Sequence, residues 1–401
     1  MKLPCVMLWF MNTLSLYLHI PFCARRCTYC DFNTTGGKQA LIPNYLEALL
    51  GEMEWYAKII HPNEVVKSIY FGGGTPSLLE PAQIGRILST VQKYYYLSDH
   101  LEITLEANPG TVSQDYFKSI HQLGVNRLSL GVQSADDAEL KMLGRLHNWE
   151  DVIHCVNWAR NSNFENISLD LIYGLPEQTL ANWVTTLEKV LSLFPQHLSL
   201  YSLTLEPGTV LSRRVAAGVI RKADDDLAAD MLENAMCCLK NAGYVQYEIS
   251  NWALAHNDRR FESVHNKQYW KNLPYIGFGA GAHSCYRNYR FSNVRRIQAY
   301  INRLNQISEN SLFSPSVAEK KLMSIEEQMR DTMLLGLRLT DEGVSLKKFK
   351  QRFGKAAEDV FRVEIEKLEN ANLIEKSDSF IRLTKRGRMV GNQAFVYFVG
   401  D

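Results

Sequence analysis

The chain has 401 residues, with 44 Lys and Arg against 43 Asp and Glu. That length suits one large domain plus a small one, and the near-neutral balance excludes a general affinity for nucleic acid or anionic membrane. No apolar run approaches the roughly 18 residues that a bilayer span needs. The eight cysteines lack the spacing of a disulfide framework and fit a reducing compartment, so a cytoplasmic protein that is not integral to a membrane is expected. Met1–Phe10 is apolar with one lysine and has no small-residue cleavage site; it reads as a ragged start ahead of Met11, not as a signal peptide. Six β-rich runs then follow in order: Leu14–Ile20, Lys67–Phe71, Leu101–Ala107, Arg127–Val132, Asn166–Tyr173 and His197–Leu205. Helical patterns alternate with them. One carries Leu46, Leu49, Leu50, Met53 and Ala57 on one face, and another carries Ile84, Ile87, Leu88 and Val91. A third, around Phe117 to Leu123, stops at Gly124, and Asp224–Asp226 open a fourth that runs toward Gly243. This alternation predicts an α/β fold with a parallel sheet and helices outside it. Six units are two short of a closed eight-fold barrel, so a partial, open (β/α)6 TIM-like barrel is expected over residues 1–297. Residues 298–401 are richer in Lys, Glu and Gln and end in a hairpin-like pair, Leu373–Glu375 and Phe380–Leu383, which predicts a small winged-helix-like domain.

Chemistry gathers at the expected strand ends. Directly after the first strand, Cys23, Cys27 and Cys30 follow a C-x-x-x-C-x-x-C spacing. Three thiolates on one loop can hold three irons of a [4Fe-4S] cluster and leave the fourth open to the amino and carboxylate groups of S-adenosylmethionine. The five other cysteines, Cys5, Cys155, Cys237, Cys238 and Cys285, are scattered and read mostly as core thiols. Zinc, with His19 as a fourth ligand, is the competing use of the loop, although zinc sites usually draw paired Cys-x-x-Cys from two loops and no second pair occurs. The second strand ends in Gly72-Gly73-Gly74-Thr75-Pro76, whose glycines let backbone approach a ligand closely. The third ends at Glu106, an acceptor for ribose hydroxyls, and the fourth at Gly131-Val132-Gln133-Ser134 with Arg145 one helix later. Gln133 offers donor and acceptor together, and Arg145 can pair with a carboxylate. Asp170 lies in the fifth strand and Ser202 near the end of the sixth. Taken singly, a triple glycine is usually a plain turn and a strand carboxylate a structural partner; their recurrence at successive strand ends argues for a site.

As a set these residues resemble the radical SAM family of oxygen-independent coproporphyrinogen oxidases and their relatives. The resemblance rests on Tyr17 through Cys30-Asp31-Phe32-Asn33, on Phe71–Pro76, on Glu106-Ala107-Asn108-Pro109, on Gly131–Ser134 and on Asp170–Pro176. It implies that Cys23, Cys27 and Cys30 hold the cluster. It also implies that Tyr17, Tyr29, Gly73, Gly74, Thr75, Glu106, Gln133, Arg145, Asp170, Ser202 and His283 contact S-adenosylmethionine. Within that superfamily the chain is more similar to the heme chaperones called HemW than to the oxidase HemN. The oxidase carries a fourth cysteine two positions after the third, where this chain has Phe32, and a longer segment before its cluster loop. His265-Asn266-Lys267-Gln268-Tyr269-Trp270 matches the His-Asn-x-x-Tyr-Trp heme-binding motif of those chaperones and is followed by Gly277–Ser284, within a segment near 265–285. Imidazole is a common axial ligand of heme iron, and Tyr269 and Trp270 could stack on a macrocycle. Read without the resemblance, His265 caps a turn and the aromatics are core; Cys285 and His283 are alternative ligands.

Three functions compete at this level. The first is a heme chaperone that binds the cluster, S-adenosylmethionine and heme, and passes heme to an acceptor protein, expected to be respiratory. The second is an oxygen-independent coproporphyrinogen III oxidase. There the reduced cluster cleaves S-adenosylmethionine to methionine and a 5′-deoxyadenosyl radical, which abstracts hydrogen from propionates that then lose carbon dioxide. Phe32, the short leader and the His265 motif favour the first. The third is a DNA-binding regulator built on the winged-helix-like domain and the basic stretch Lys347–Lys355, charges that a solvated helix face explains more simply. No nucleic-acid partner is expected.

Overall fold

The computed structural model describes residues 13–222, 224–305 and 311–400. Cys5 and the reading of Met1–Phe10 as a ragged start lie outside them. Six parallel strands form its centre: β1 (Thr13–Ile20), β2 (Val65–Gly73), β3 (Tyr96–Ala107), β4 (Arg127–Gln133), β5 (Ile167–Tyr173) and β6 (His197–Ser202), side by side in chain order. Along β1 the apolar Leu14, Leu16, Leu18 and Ile20 alternate with Ser15, Tyr17 and His19. The first set joins a core with Leu46, Leu49 and Met53 of the helix Ile42–Ala57. The second set faces the other way, and Tyr17 and His19 reach a cavity. Helices Pro81–Tyr94, Gln114–Gln122, Trp149–Asn161, Leu180–Leu191 and Asp225–Asn241 complete the outer layer. Their starts are capped as the sequence suggests, with Asp224 accepting the backbone N–H of Asp226 and Ser113 that of Tyr116. The third helical segment ends where Gly124 turns to φ +100°.

The sheet does not stop at six strands. Beyond β6 it continues through two antiparallel strands, with β8 (Asn251–Leu254) beside β6 and β7 (Tyr244–Glu248) at the edge. On the other side β9 (Tyr275–Phe278) pairs in parallel with β1. Three antiparallel strands extend it: β10 (His283–Tyr286), β11 (Tyr289–Asn293) and β12 (Val317–Leu322). The result is an open twelve-stranded sheet whose parallel centre is the expected partial barrel. Its far edge also moves the division between the two units. The helix Ile297–Leu304 gives Ile297, Tyr300 and Ile301 to the large core, and β12 is part of the large sheet, so the expected boundary at 297/298 cuts through this core.

The second core begins at Met329 and gathers residues from helices Ile325–Gly336, Leu346–Phe353 and Arg362–Asn370. A three-stranded sheet (Val344–Ser345, Phe380–Leu383 and Ile374–Lys376) forms the wing. In the basic stretch, Leu346 and Phe349 are buried while Lys347, Lys348, Lys350 and Lys355 are exposed, which is the pattern of a solvated helix face. Glu342 joins this unit to the helix Val264–Trp270, lying 2.5 Å from the Lys267 ammonium and 2.8 Å from that of Lys271. Among the described residues, no helix is long and apolar enough to cross a membrane.

Candidate functional site

Two cavities open at the carboxyl ends of the strands, where parallel α/β barrels place their chemistry. The smaller, about 430 Å³, is lined by Cys23, Cys27 and Cys30. Every residue that the resemblance assigns to S-adenosylmethionine lines it too, except Tyr17 and His283. The larger, about 820 Å³, is lined by Tyr17, Tyr269, Trp270 and His283. Phe32, Gly73 and Glu106 belong to both and form the wall between them.

The cysteine loop leaves β1 and is held at several points. Phe22 and Cys23 pair in parallel with Thr35 and Gly36, closing the loop at its base. The Thr28 amide donates to the Leu143 carbonyl at 3.0 Å, and the Thr28 hydroxyl to that of Met142 at 3.0 Å. Glycines of the second strand end lie directly against this loop. Gly74 N–H donates to the Ile20 carbonyl at 2.8 Å and Thr75 N–H to that of Phe22 at 2.8 Å. A Cβ on Gly74 would sit 2.6 Å from the Phe22 oxygen and 3.0 Å from Cys23 Sγ. Gly73, at φ +114°, is confined to glycine twice over, since a Cβ there would strike the His19 ring at 2.6 Å.

Charge around the thiols is arranged asymmetrically. Arg145 Nη1 lies 3.5 Å from Cys27 Sγ, while its Nη2 donates to the Gly131 carbonyl at 2.6 Å and to the Asn108 side chain. Burial pushes the Cys23 thiol up, partly offset by hydrogen bonds to Thr75 and Thr34. Deeper in, Glu106 accepts from the Tyr70 hydroxyl at 2.8 Å and from Gly73 N–H at 3.1 Å. Burial is the main cause that raises its pKa to about 7, and the nearby Asp170 carboxylate adds to it. Asp170 itself is pushed up by burial and accepts from Ser129 at 2.9 Å. Gln133 enters the cavity from a bulge at the end of β4, with φ +70°, a strained value for a residue that is not glycine.

The donor set fits a cluster better than a zinc ion. Among the described residues no three His, Cys, Asp or Glu side chains converge on one point as ligands of a single ion. A cube needs no such convergence, because each thiolate binds a different iron. His19, the fourth ligand of the zinc alternative, has both ring nitrogens engaged at 3.0 Å, Nδ1 with the Tyr17 hydroxyl and Nε2 with the Asn33 carbonyl.

The motif at 265–270 is split by the structure. His265 is completely buried and lines neither cavity, while Tyr269 and Trp270 line the larger one. His283, expected beside S-adenosylmethionine, lines the larger cavity and not the cysteine-bearing one. Cys285 opens instead on a separate cleft of about 20 Å³. Sequence reasoning passed over Asn33 as a tether: its Nδ2 donates to the carbonyls of Ala280 at 2.9 Å and Arg295 at 3.0 Å, tying the cysteine loop to the turn before His283. It also passed over Arg290 and Arg295, cations on the wall of the larger cavity that no motif marks.

A partial parallel barrel carrying a three-cysteine loop at its first strand end defines a radical SAM protein. The family model of the Radical SAM superfamily matches residues 17–190, and that of the HemN C-terminal domain matches residues 323–390. The chain belongs to the HemW family. It is 39% identical to the heme chaperone HemW of Bacillus subtilis, over 96% of this chain and 99% of that protein. It is 36% identical to that of Lactococcus lactis, over 96% and 97%. In fold it is similar to the coproporphyrinogen III oxidase HemN of Escherichia coli, with TM-score 0.83 at 23% identity, covering 98% of this chain and 91% of that one. Membership of the radical SAM superfamily implies a [4Fe-4S] cluster and S-adenosylmethionine.

Proposed function

We propose that this protein is a cytoplasmic heme chaperone: it holds a [4Fe-4S] cluster, S-adenosylmethionine and heme, and delivers heme to an acceptor protein. The observation that carries this reading is the pair of cavities with a common wall at Phe32, Gly73 and Glu106. The smaller has thiols and polar groups suited to the cluster and S-adenosylmethionine. The larger has aromatic rings, an imidazole and arginines suited to a flat, dianionic porphyrin. The names of the curated relatives point the same way.

In this reading Cys23, Cys27 and Cys30 hold the cluster, with the Arg145 guanidinium 3.5 Å from the Cys27 sulfur. A bound cluster with one open iron supplies a coordination site and an electron to S-adenosylmethionine. Gly73, Gly74 and Thr75 bring backbone groups against its methionyl part, and Tyr29, Glu106, Gln133, Asp170 and Ser202 enclose the remainder. Phe32, 69% exposed where the oxidase pattern has cysteine, puts an apolar ring at the mouth of both cavities.

The test uses anaerobically reconstituted, dithionite-reduced protein with S-adenosylmethionine, supplied once with heme and once with coproporphyrinogen III. Stable heme uptake and its transfer to an apo-acceptor, with no decarboxylated product, is expected. Protoporphyrinogen and 5′-deoxyadenosine accumulating over many turnovers would establish the oxidase instead.

Glu106 gives this site a pH dependence. Its folded-state pKa is raised to about 7, so the stability tied to its neutral form is complete below the ordinary glutamate range and is lost as pH rises through about 7. A cationic ligand reverses the preference by favouring the carboxylate. S-adenosylmethionine binding should therefore tighten about tenfold from pH 6 to pH 8 if the carboxylate is the binding form. Isothermal titration across that range should show a steeper trend in the unsubstituted protein than in Glu106→Gln; parallel profiles would remove Glu106 from the ligand's surroundings.

A further inference from the structure

We infer that His283, and not His265, is the imidazole that meets heme iron in the larger cavity, with Arg295 at its wall pairing with a propionate. The inference rests on the proposal that this protein binds heme, and it assigns the residues that do so.

An axial ligand must turn a nitrogen lone pair toward open space. His265 has none to turn. Its Nδ1 lies 2.8 Å from the Ser68 hydroxyl and its Nε2 2.8 Å from the Tyr269 hydroxyl. Ser68 is in turn 2.6 Å from the Ser15 hydroxyl, so a chain of hydrogen bonds runs from β1 through β2 into the helix Val264–Trp270. Tyr70 and Tyr269 pack on the imidazole with ring centroids 4.9 Å away. Its backbone is pinned as well, because Glu102 accepts the N–H groups of Val264 and His265 at 3.0 Å each. His265 is a positioning residue: it fixes the helix that sends Tyr269 and Trp270 to the cavity.

The other histidine nearby is also committed, since both nitrogens of His19 are hydrogen-bonded. His283 differs. It is exposed, it lines the cavity, and no hydrogen bond engages its ring among the described residues. Its backbone is nonetheless held firmly. In the turn before it, Gly279 N–H donates to Glu52 at 2.9 Å and Ala280 N–H to the Tyr45 hydroxyl at 2.9 Å. Just after it, the Ser284 hydroxyl accepts Gly277 N–H at 2.9 Å. The backbone is thus fixed at the cavity wall, while the ring stays available to turn a nitrogen lone pair into the cavity. Cys285, the remaining alternative, opens on the small cleft.

The arginines separate by the same reasoning. Arg290 is paired with Asp331 at 2.8 Å, whereas Arg295 makes no ion pair among the described residues. Arg295 is therefore the cation available to a carboxylate, and guanidinium–carboxylate pairs are strong and directional.

Ferric heme, metal-free protoporphyrin and heme dimethyl ester should be titrated into the full chain, unsubstituted and as His283→Ala, His265→Gln and Arg295→Gln. His283→Ala should melt like the unsubstituted protein, weaken heme binding by at least about tenfold, the scale on which groups around a metal site act, and shift the Soret band. Added imidazole should restore that band, and metal-free protoporphyrin should bind as before. His265→Gln should keep the heme spectrum. Arg295→Gln should weaken both free-acid porphyrins and leave the ester unaffected. A wild-type spectrum and affinity in His283→Ala would overturn the ligand assignment while leaving heme binding in place. Failure of the unsubstituted protein to take up heme would defeat the functional reading and this assignment with it.

Discussion

Replacing Cys27 with alanine is expected to abolish the iron–sulfur cluster and to leave heme binding largely in place. With one of three thiolates gone, the loop presents only Cys23 and Cys30, and Arg145 loses the sulfur 3.5 Å from its guanidinium. Iron and acid-labile sulfide after anaerobic reconstitution should fall to background, and S-adenosylmethionine binding should fall with them because its open iron is missing. Of these two cavities, the three cysteines line the smaller alone, whereas Tyr269, Trp270, His283 and Arg295 line the larger alone. Heme affinity should therefore change no more than a few-fold, the residual effect passing through Asn33, which links the cysteine loop to the turn before His283. Complete loss of heme binding from a variant with unchanged circular dichroism and melting would show that the two sites are not separable.

Glu52→Leu should be the most damaging single change outside the cysteines. Glu52 lies in the helix Ile42–Ala57, fully buried, and gathers donors from four residues distant in sequence. Gly279 N–H reaches it at 2.9 Å, the Asn293 amide at 2.8 Å, the Tyr300 hydroxyl at 2.6 Å and the Ser316 hydroxyl at 2.5 Å. Leucine fills similar space and removes the acceptor of Gly279 N–H, the Asn293 amide and the Tyr300 hydroxyl in a buried site, while the Ser316 hydroxyl can fall back on the Asn293 side-chain oxygen at 2.9 Å. Each buried donor so stranded costs about 1–3 kcal/mol, and after local relaxation a total loss of about 4 kcal/mol is expected. Denaturant unfolding measures that loss. Heme uptake by the folded fraction should fall as well, because the turn before His283 hangs on the same carboxylate. A loss below about 1 kcal/mol would mean that these donors find other partners, well under the usual cost of breaking a buried network.

The centre of the fold and the smaller cavity were readable because their signals are local. Parallel strands buried on both faces appear as short apolar runs, and each of the six carries a group that lines the site in its second half or just beyond its end. The edges of the sheet carry no such signal. Strand β12, Val-Ala-Glu-Lys-Lys-Leu, is exposed along most of its length and exists because β11 offers it a hydrogen-bonding edge. The two histidines show the same limit at the site. The residues around His265 mark a motif, yet what seals its ring is a serine hydroxyl of β2 that is 197 residues away in sequence. Arg295 belongs to no motif, and only the packing of β9 to β11 brings it to the cavity wall.

Strand β1 has one consequence for how the chain reaches this state. It is made shortly before its neighbour β2, but its other neighbour is β9, with Ser15 opposite Tyr275. At the usual pace of about 5–20 residues per second, the intervening chain takes on the order of tens of seconds to synthesise. Throughout that interval the strand that leads into the cysteine loop has an open hydrogen-bonding edge beside Leu14, Leu16 and Leu18. A nascent chain in that condition is sticky, and on the proposed assignment of Cys23, Cys27 and Cys30 the cluster would be loaded either after the barrel closes around β1 or onto one still half-built.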